Sequence, residues 1–514
     1  MVVRQAPALT PPRGAERATR RIVVVGNGMA GSRFVTEIRA RDPQVPVTVF
    51  GREARQPYNR VLLSSVLAGT AGPDQIGLVD PAWYGEHAID ARLGVDVVGI
   101  DRDAKVVVAA DGTITPYGTL VLATGSAPLV PPIPGTEGGL PRGAVAFRTL
   151  DDCAAILEAA RAARHAVVIG GGLLGIEAAR GLAGRGLAVT VLHMAGHLME
   201  RQLDAEAGRV LARTLAALGI RVRLAARVAA LRTGRGPDGE RVTGVALAPD
   251  APAPELVNAE VVDAEVVDAD LVVLACGVRP EVELARAAGL AVDRGVVVDE
   301  ALRSVSDPSV RAIGECAQYG DVVYGLVAPA WEQASVLADL LSGTRPAARY
   351  TGSRQITRLK AASVELATMG ETHHGSHDED VEVVQFADAA RGTYKKVVIR
   401  EDRLIGAILL GETSTAGTLV QLYDRSEPLP SDRLALLFQG LSGAVAADSP
   451  VRMPDAAEVC NCNGVTKGQI RACWEGGART VGEVVARTRA TTGCGTCRDA
   501  VTGIVGWLAD QAPE

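Results

Sequence analysis

The chain has 514 residues, a net charge of −7 and 57 glycines, and 47% of its residues are hydrophobic. This length predicts three or four domains, and the apolar content is sufficient for each to have its own core. Aromatic residues make up only 3%, so alanine, valine and leucine must fill those cores. Because the overall charge is acidic and no basic stripe is interleaved with aromatic residues, we expect no nucleic-acid binding.

The N-terminal segment, the apolar runs and the cysteines bear on the cellular compartment. Residues 1–20 contain arginine and proline but lack the continuous apolar stretch of a secretory signal. No apolar run reaches the roughly 18 residues that a membrane span needs. Five of the eight cysteines fall between residues 460 and 497, and in a reducing compartment such a cluster indicates metal binding before disulfides. We therefore expect a soluble cytoplasmic protein.

Residues 21–125 follow the plan of a nucleotide-binding fold. A β-branched run at 21–25 leads into Gly-Asn-Gly-Met-Ala-Gly at 26–31, and a helix is predicted to follow. Further strands are predicted at 45–50 and 119–123. In the pattern G-x-G-x-x-G the first glycine permits a tight turn, the second lets the backbone approach a pyrophosphate, and the third allows close helix–strand packing. The N-terminus of the helix then faces the phosphates.

Residues 165–280 repeat this plan. Gly-Gly-Gly-Leu-Leu-Gly at 170–175 follows a predicted strand at 166–169, and two more strands are predicted at 188–192 and 270–275. The repetition indicates an internal duplication, and alternating strands and helices predict parallel sheets with helices on both faces. The expected fold class is therefore α/β with two Rossmann-like dinucleotide-binding domains. An α+β domain is expected over 345–450 and a small helical, cysteine-bearing domain over 456–514.

The strand ends distinguish the two nucleotide folds. Glu53 lies 22 residues after Gly31, where an acid can accept hydrogen bonds from a ribose diol. The second fold has His193 at its strand end. Because no acid stands there to repel a 2′-phosphate, this fold could bind NADPH as well as NADH. His193 itself either contacts the cofactor or, as is usual for a surface histidine, is only solvated. Glu177 stands just inside the second helix. It either lies near a nicotinamide or only interacts with the positive end of the helix dipole.

Six blocks of sequence, in order, resemble the FAD/NAD(P)-linked pyridine nucleotide reductases. The likeness is strongest to the N-terminal half of assimilatory NAD(P)H nitrite reductase large subunits and to assimilatory nitrate reductase electron-transfer subunits, and it covers roughly residues 20–510. The blocks are 25–31 (VGNGMAG), 58–64 (YNRVLLS), 123–126 (ATGS), 198–204 (LMERQLD), 312–317 (AIGECA) and 325–329 (GLVAP). The resemblance implies that FAD binds the first fold and that NAD(P)H bound at the second delivers hydride to it.

The resemblance also implies site residues and domain limits. Arg60 and the loop after it would border the flavin, and the turn at Gly314 and Glu315 would contact the FAD ribityl or phosphate region. Many relatives have Asp at the position of Glu315, and related ferredoxin reductases often have a flavin-side Lys where this chain has Ser65. The implied domains are 20–150 (first part of the FAD-binding domain), 151–284 (NAD(P)-binding), 285–344 (second part of the FAD-binding domain), 345–450 (α+β interface domain) and 456–514 ([2Fe–2S]).

The candidate cofactor contacts follow from the glycine patterns and the resemblance together. For FAD they are Gly26, Gly28, Met29, Ala30, Gly31, Glu53, Arg60, Ser64, Thr124, Gly125, Gly314 and Glu315. For NAD(P)H they are Gly170, Gly172, Leu174, Gly175, Glu177, His193 and Gly277.

Four C-terminal cysteines form a candidate metal site. Cys460, Cys462, Cys494 and Cys497 give C-x-C and C-x-x-C separated by 31 residues. Four thiolates suit either a [2Fe–2S] cluster or Zn²⁺, and spacing alone does not separate them. The block resembles the bacterioferritin-associated ferredoxin-like domain, which implies the [2Fe–2S] cluster. Cys473 stands alone in a predicted helix and is expected to pack in its core.

The lack of cysteines in the N-terminal part of the sequence argues against two classes of flavoenzyme. No cysteine precedes Cys153, so the flavin-side thiols of disulfide reductases and thiol-dependent oxidases are absent. Cys153, Cys276 and Cys316 are expected to pack as small hydrophobic side chains.

These observations lead to a functional hypothesis: an NAD(P)H-dependent flavin oxidoreductase that passes electrons through the cluster to a nitrate or nitrite reductase catalytic subunit. The resemblance to nitrite reductases implies that sirohaem and a further cysteine set would come from a partner. Alternatives are a reductase of another small redox protein, of the rubredoxin or ferredoxin reductase type, and a zinc-bound redox-sensing adaptor. We also expect the protein to form a homodimer and to have no membrane partner.

Overall fold

The computed structural model describes residues 20–236, 239–248, 265–361, 364–438, 453–460, 464–491 and 497–511. The chain divides into two compact units. The first contains residues 20–59 together with Gly77–Ala127 and Arg279–Ser353. The second contains Arg60–Ile76, Pro128–Val278 and the described residues from Arg354 onward.

The first unit is built on a sheet that surrounds the first glycine loop. Its strand Ile22–Val25 is buried along its whole length and runs parallel to both Val47–Gly51 and Thr119–Leu122. A continuous run of β-branched residues is typical of such a doubly covered strand. The nine strands, in spatial order, are Val322–Val323, Ala317–Tyr319, Val296–Val298, Arg303–Ser304, Asp307–Ala312, Thr119–Leu122, Ile22–Val25, Val47–Gly51 and Ile89–Leu93.

The remaining elements of the first unit are a small sheet and several helices. The three-stranded sheet contains Val97–Asp101, Val106–Ala109 and Ile114–Pro116. The helices are Met29–Arg41, Trp83–Glu86, Glu283–Ala287 and Val327–Ser342, with a 3₁₀ turn at Gly314–Cys316. The short strands Ser126–Pro128 and Val278–Pro280 lie where the chain passes from one unit to the other.

The second unit repeats the nucleotide-binding plan on a five-stranded parallel sheet. Its spatial order is Arg221–Arg223, Ala188–Leu192, His165–Ile169, Leu271–Leu274 and Ala144–Ala146. A separate antiparallel sheet contains Val228–Gly236, Gly239–Leu247 and Val266–Asp268. The helices are Leu63–Ala68, Leu150–Ala160, Leu173–Ala183 and Ala205–Ala217, with 3₁₀ turns at Arg60–Leu62 and Pro73–Ile76.

An antiparallel sheet and a small helical module complete the second unit. The sheet has the order Ile356–Ala361, Val364–Gly370, Arg403–Leu410, Thr393–Arg400 and Glu382–Asp388. The helix Ala416–Arg425 and the 3₁₀ turn Arg433–Leu436 follow it. The module contains the strands Glu458–Cys460 and Val465–Thr466 and the helices Lys467–Glu475, Val481–Thr488 and Arg498–Asp510. The predicted fold class, α/β with two Rossmann-like folds, an α+β domain and a helical module, is confirmed.

Two details differ from the predicted domain limits. The strand Ala144–Ala146 pairs with Leu271–Leu274, so the second fold includes residues that precede residue 151. The segment Arg60–Ile76, placed within 20–150 by the sequence, groups with the second unit. A three-residue strand is too short to show a period, and a helix's partner is set by tertiary packing that its own sequence does not display.

None of the helices in the described part of the chain is both long enough and apolar enough to cross a membrane.

Asp204 connects a helix of the second nucleotide fold to the antiparallel sheet. It caps Ala205–Ala217 by accepting a hydrogen bond from the Ala207 N–H at 2.9 Å. Its carboxylate also accepts from the buried Lys396 ammonium at 2.7 Å and from the Tyr394 hydroxyl at 2.8 Å. Burial disfavours the charged carboxylate, but these donors outweigh burial and hold the pKa of Asp204 below its ordinary value.

We expect Asp204→Ala to lower the free energy of unfolding by about 3 kcal/mol, because the buried Lys396 charge loses its partner. The folded-state pKa of Asp204 lies below the unfolded value, so this stabilisation is fully present above about pH 4. It is lost as pH falls through the lowered folded pKa. Urea unfolding of wild type and variant from pH 7 down to pH 3 should show the difference narrowing below about pH 4. A difference that stays constant with pH would contradict the ion pair.

Candidate functional site

The first glycine loop is held tightly against the sheet. Gly26 has φ +109°, and a Cβ there would lie 2.1 Å from the Ala123 carbonyl oxygen. A Cβ on Gly31 would lie 1.9 Å from the carbonyl oxygen of Gly26. Gly28 is the N-cap of Met29–Arg41, and a Cβ there would meet no atom of the described residues within 4 Å. The loop is therefore closed toward the protein at its first and third glycines and open at the second, where a pyrophosphate would bind.

The second glycine loop reproduces this geometry. Gly170 has φ +118°, and a Cβ there would lie 2.2 Å from the Ala275 carbonyl oxygen. A Cβ on Gly175 would lie 2.0 Å from the Gly170 carbonyl oxygen, whereas one on Gly172 would again face open space among the described residues. Gly172 is the N-cap of Leu173–Ala183. The duplication inferred from sequence therefore extends to the contacts of individual glycines.

Three chain segments of the first unit meet near the first loop. The Ser126 hydroxyl donates to the Glu315 carboxylate at 2.6 Å, and the Thr124 hydroxyl donates to the Glu281 carbonyl at 2.7 Å. A Cβ on Gly314 would lie 2.8 Å from the Ala30 Cβ. The structure thus brings the turn at 314–315 together with the helix that starts at the glycine loop.

Several polar partners around this loop escaped the sequence analysis. The Tyr58 hydroxyl donates to Glu53 at 2.6 Å, and the Tyr84 hydroxyl donates to the Asn27 side-chain oxygen at 2.6 Å. Burial raises the pKa of Tyr84 to about 12, so the phenol remains a donor. The Gly314 N–H donates to Gln333 at 2.7 Å. Isolated tyrosines and glutamines have no spacing signal, so only the fold could reveal them.

Arg60 and Ser64 lie in the second unit. Arg60 Nη1 donates to the Arg148 carbonyl at 3.3 Å, and Ser64 Oγ donates to the Val61 carbonyl at 3.4 Å. The helix Leu63–Ala68 packs on Leu173–Ala183, where a Cβ on Gly181 would lie 3.2 Å from Leu67. The proposed place of Arg60 and Ser64 beside a flavin stays a prediction.

Of the two interpretations of His193, the solvated surface side chain is wrong, and the cofactor contact stays a prediction. The residue is 8% exposed. Its Nδ1 accepts from the Gly171 N–H at 3.1 Å, and its Nε2 lies 2.9 Å from a Glu200 carboxylate oxygen. The chain after the strand folds back over the ring, since the Met199 N–H donates to the Gly171 carbonyl at 3.0 Å. A strand pattern cannot show such a reversal.

The other candidate residues of the second fold surround the same loop. Leu174 and Glu177 are half-buried in the first turns of Leu173–Ala183. Gly277 follows the closing strand, and its carbonyl accepts from the Leu129 N–H at 2.9 Å. A Cβ on Gly277 would meet no described atom within 4 Å, so this position is open like Gly172.

The structure describes two of the four candidate cluster ligands. Cys460 ends the strand Glu458–Cys460, and Cys497 is the N-cap of Arg498–Asp510. Both are buried, at 2% and 6% exposure, and both belong to the core of the small module. The Thr491 N–H donates to Cys497 Sγ at 3.2 Å. Cys462 and Cys494 lie outside the described residues.

The other cysteines have the environment of core side chains. Burial raises the thiol pKa of Cys153 and of Cys276 to about 11, and it also raises that of the fully buried Cys316. A thiol with a raised pKa is a poor nucleophile at neutral pH. Cys473 packs, half-buried, against the core of the small module.

Two matching glycine loops on parallel sheets, one with an acid at the end of the adjoining strand, define a protein with two dinucleotide-binding folds. Residues 20–334 match the pyridine nucleotide-disulphide oxidoreductase family model, and the chain belongs to this family. Residues 356–426 match the rubredoxin NAD⁺ reductase C-terminal domain. Residues 458–507 match the BFD-like [2Fe-2S] binding domain, which favours the cluster over zinc.

Known proteins align with nearly the whole chain. The nitrite reductase [NAD(P)H] of Bacillus subtilis (strain 168) is 37% identical over 492 residues, covering 95% of this chain and 57% of that relative. The assimilatory nitrate reductase electron transfer subunit of the same strain is 34% identical over 495 residues, covering 96% and 60%. The chain thus spans somewhat under two thirds of the length of either relative.

A solved structure gives the same fold assignment. The ferredoxin reductase for the CYP199A2 system from Rhodopseudomonas palustris is 26% identical with a TM-score of 0.69, covering 80% of this chain and 96% of that one. Together the comparisons confirm the predicted family, the NAD(P)H-dependent oxidoreductase class, and FAD, NAD(P)H and a [2Fe–2S] cluster as cofactors.

The residues present fit these cofactors. The buried side-chain nitrogens of Asn27, in the first loop, and of Gln333, beside Gly314, have no hydrogen-bond partner among the described residues. Such donors are satisfied when a polar ligand binds. The open sides of Gly28 and Gly172 leave room for a pyrophosphate against a helix N-terminus. Buried cysteine thiolates in one small core are the soft ligands that iron–sulfur clusters require.

Proposed function

We propose that this protein oxidises NAD(P)H and delivers the electrons, one at a time, to the catalytic subunit of an assimilatory nitrate or nitrite reductase. When bound, FAD would supply hydride chemistry and a [2Fe–2S] cluster would supply single-electron transfer, which together would convert two-electron input into one-electron output. The polypeptide binds and orients these groups. Gly28 and Gly172 are the proposed approach points for the two pyrophosphates.

One observation supports this function above all others: both Bacillus subtilis relatives align over at least 95% of the chain. Because only about 5% of the chain lies outside these alignments, they must extend into residues 458–507, which match the [2Fe-2S] binding domain. Flavin folds and cysteine module therefore occur together in proteins named for nitrite reduction and for electron transfer to nitrate reductase. The acceptor assignment rests on those names.

Anaerobic titration of the purified protein with NADH and with NADPH tests the electron path. We expect the visible flavin absorbance to bleach and a reduced-cluster EPR signal to appear as reductant is added. Bleaching without the EPR signal would contradict transfer to the C-terminal module. Addition of a purified nitrate reductase catalytic subunit with nitrate, or of a nitrite reductase catalytic subunit with nitrite, should reoxidise the protein and form nitrite or ammonia, respectively.

A second candidate is a reductase of a small redox protein. The match of residues 356–426 to the rubredoxin NAD⁺ reductase C-terminal domain and the likeness to a ferredoxin reductase favour it. It assigns no role to residues 458–507, which match the BFD-like [2Fe-2S] binding domain. If purified rubredoxin or ferredoxin oxidised the reduced protein faster than either catalytic subunit, this candidate would replace the first.

The candidate contact residues and domain limits given above form part of the proposal, with the second fold extended to include Ala144–Ala146. A cytoplasmic location and a homodimer are also proposed. Cell fractionation and analytical ultracentrifugation test these two points.

A further inference from the structure

The strand that ends at Leu192 has no acid at its end, yet the structure places a carboxylate there. The residues directly after the strand are His193, Met194 and Ala195. Glu200 comes from the loop beyond them, and one of its carboxylate oxygens lies 2.9 Å from His193 Nε2. The acid that the sequence pattern lacks is therefore supplied seven residues later.

The hydrogen bonds of His193 fix its protonation and the direction of its ring. The Gly171 N–H is a donor, so Nδ1 must accept and is unprotonated. Nε2 therefore has the ring proton and donates it to Glu200. The neutral imidazole forms a bridge from the amide of the glycine loop to the carboxylate, which holds that charge close to the loop.

The loop that presents Glu200 is fixed at several points. Met199 has φ +52° and its N–H bonds the Gly171 carbonyl at 3.0 Å. A Cβ on Gly171 would lie 2.5 Å from Leu198 and 2.7 Å from the His193 ring. A left-handed backbone at a residue other than glycine is strained and persists only where the surroundings impose it. Here it directs the chain so that Glu200 reaches His193.

We propose that Glu200, held by His193, accepts hydrogen bonds from the adenosine ribose diol of NADH and repels the 2′-phosphate of NADPH. In dinucleotide folds an acid near the end of the second strand has this effect, and a cation there favours the phosphate. Arg223, whose carbonyl accepts the His193 N–H at 2.9 Å, bonds Glu265 at 2.6 Å through its guanidinium. Its charge is thus already paired with a carboxylate.

The exposed surface beside this carboxylate suits the adenosine half of the cofactor. Met194 follows His193 and is 76% exposed, which offers an apolar face for an adenine ring. Glu200 keeps a side-chain exposure of 42%, so its second oxygen is accessible while the first is bound to His193. The inference depends on the NAD(P)H site of the proposed function but not on the identity of the electron acceptor.

Calorimetric binding of NAD⁺ and NADP⁺ to the oxidised holoprotein tests the proposal without turnover. We expect wild type to bind NAD⁺ at least about tenfold more tightly than NADP⁺, because a like charge opposes the 2′-phosphate. Glu200→Gln removes the charge and should reduce this preference to about threefold or less. Glu200→Asp, which keeps the charge on a shorter side chain, should retain part of the preference.

Glu158→Gln is the matched control, since it makes the same charge change at a side chain that is 70% exposed on the helix Leu150–Ala160. It should leave both dissociation constants unchanged. Equal binding of NAD⁺ and NADP⁺ by wild type, or an unchanged preference in Glu200→Gln, would overturn the proposal. Failure of the wider function would show itself differently, as NADH oxidation without reduction of the cluster.

Discussion

Cys497→Ser is expected to abolish electron delivery to a protein acceptor while NAD(P)H still reduces the flavin. Cys497 is buried at the N-cap of Arg498–Asp510, in the same small core as Cys460. Serine has nearly the same shape but is a poor ligand for iron, so the fold of the module can survive while the cluster is lost or unstable. We expect the rate of acceptor reduction to fall by about 100-fold or more.

The module contains its own control for this experiment. Cys473 lies in Lys467–Glu475, half-buried against the same core but outside the C-x-C and C-x-x-C pairs. Cys473→Ser should keep iron, acid-labile sulfide and the EPR signal of wild type. Ferricyanide, which takes electrons directly from a reduced flavin, should be reduced at the wild-type rate by both variants. A Cys497→Ser protein with a full cluster, or a Cys473→Ser protein without one, would show that the ligand set has been misassigned.

The glycine loops were predictable because their requirements are local. A tight turn, a close backbone approach and a helix N-terminus are all encoded within six residues. The nearest atom to a Cβ on Gly26 or on Gly170 is a carbonyl oxygen, and the two distances agree to 0.1 Å. The antiparallel hairpin of Thr393–Arg400 and Arg403–Leu410 is local in the same way, since two apolar runs are joined by a turn of two residues. Local chemistry and periodicity therefore gave the fold class and both nucleotide loops.

The remaining features depend on packing between distant segments. Glu200 approaches His193 only because Met199 adopts a left-handed backbone and bonds Gly171. Ser126 meets Glu315 across 189 residues of sequence. Arg60–Ile76 packs with the second unit although it lies between strands of the first. No short window of sequence contains these pairings, so the residues that position the candidate site were missed while the glycine loops were found.

Gly172→Val is expected to remove nucleotide binding from the second fold without unfolding it. Gly172 has φ −80° and ψ −177°, an extended backbone that valine readily adopts. A Cβ there would meet no described atom within 4 Å, so the branch point of the valine side chain fits without a clash. The side chain would instead occupy the space that the backbone must leave for a pyrophosphate. We expect the NAD⁺ dissociation constant to rise by about 100-fold or more and the melting temperature to change by less than about 2 °C.

Gly28→Val is the corresponding experiment on the first fold. Gly28 has φ −83° and ψ −161°, and its Cβ position is equally open among the described residues. This variant should purify without flavin. Gly170→Ala provides the contrast, because φ +118° and a Cβ 2.2 Å from Ala275 O predict loss of the fold itself. Flavin absorbance, NAD⁺ calorimetry and thermal melting distinguish the three outcomes.

Since Gly28 and Gly172 share the same backbone conformation and the same open side, any difference between their variants reports which nucleotide each fold binds. Loss of flavin from Gly172→Val and loss of NAD⁺ binding from Gly28→Val would reverse the proposed assignment.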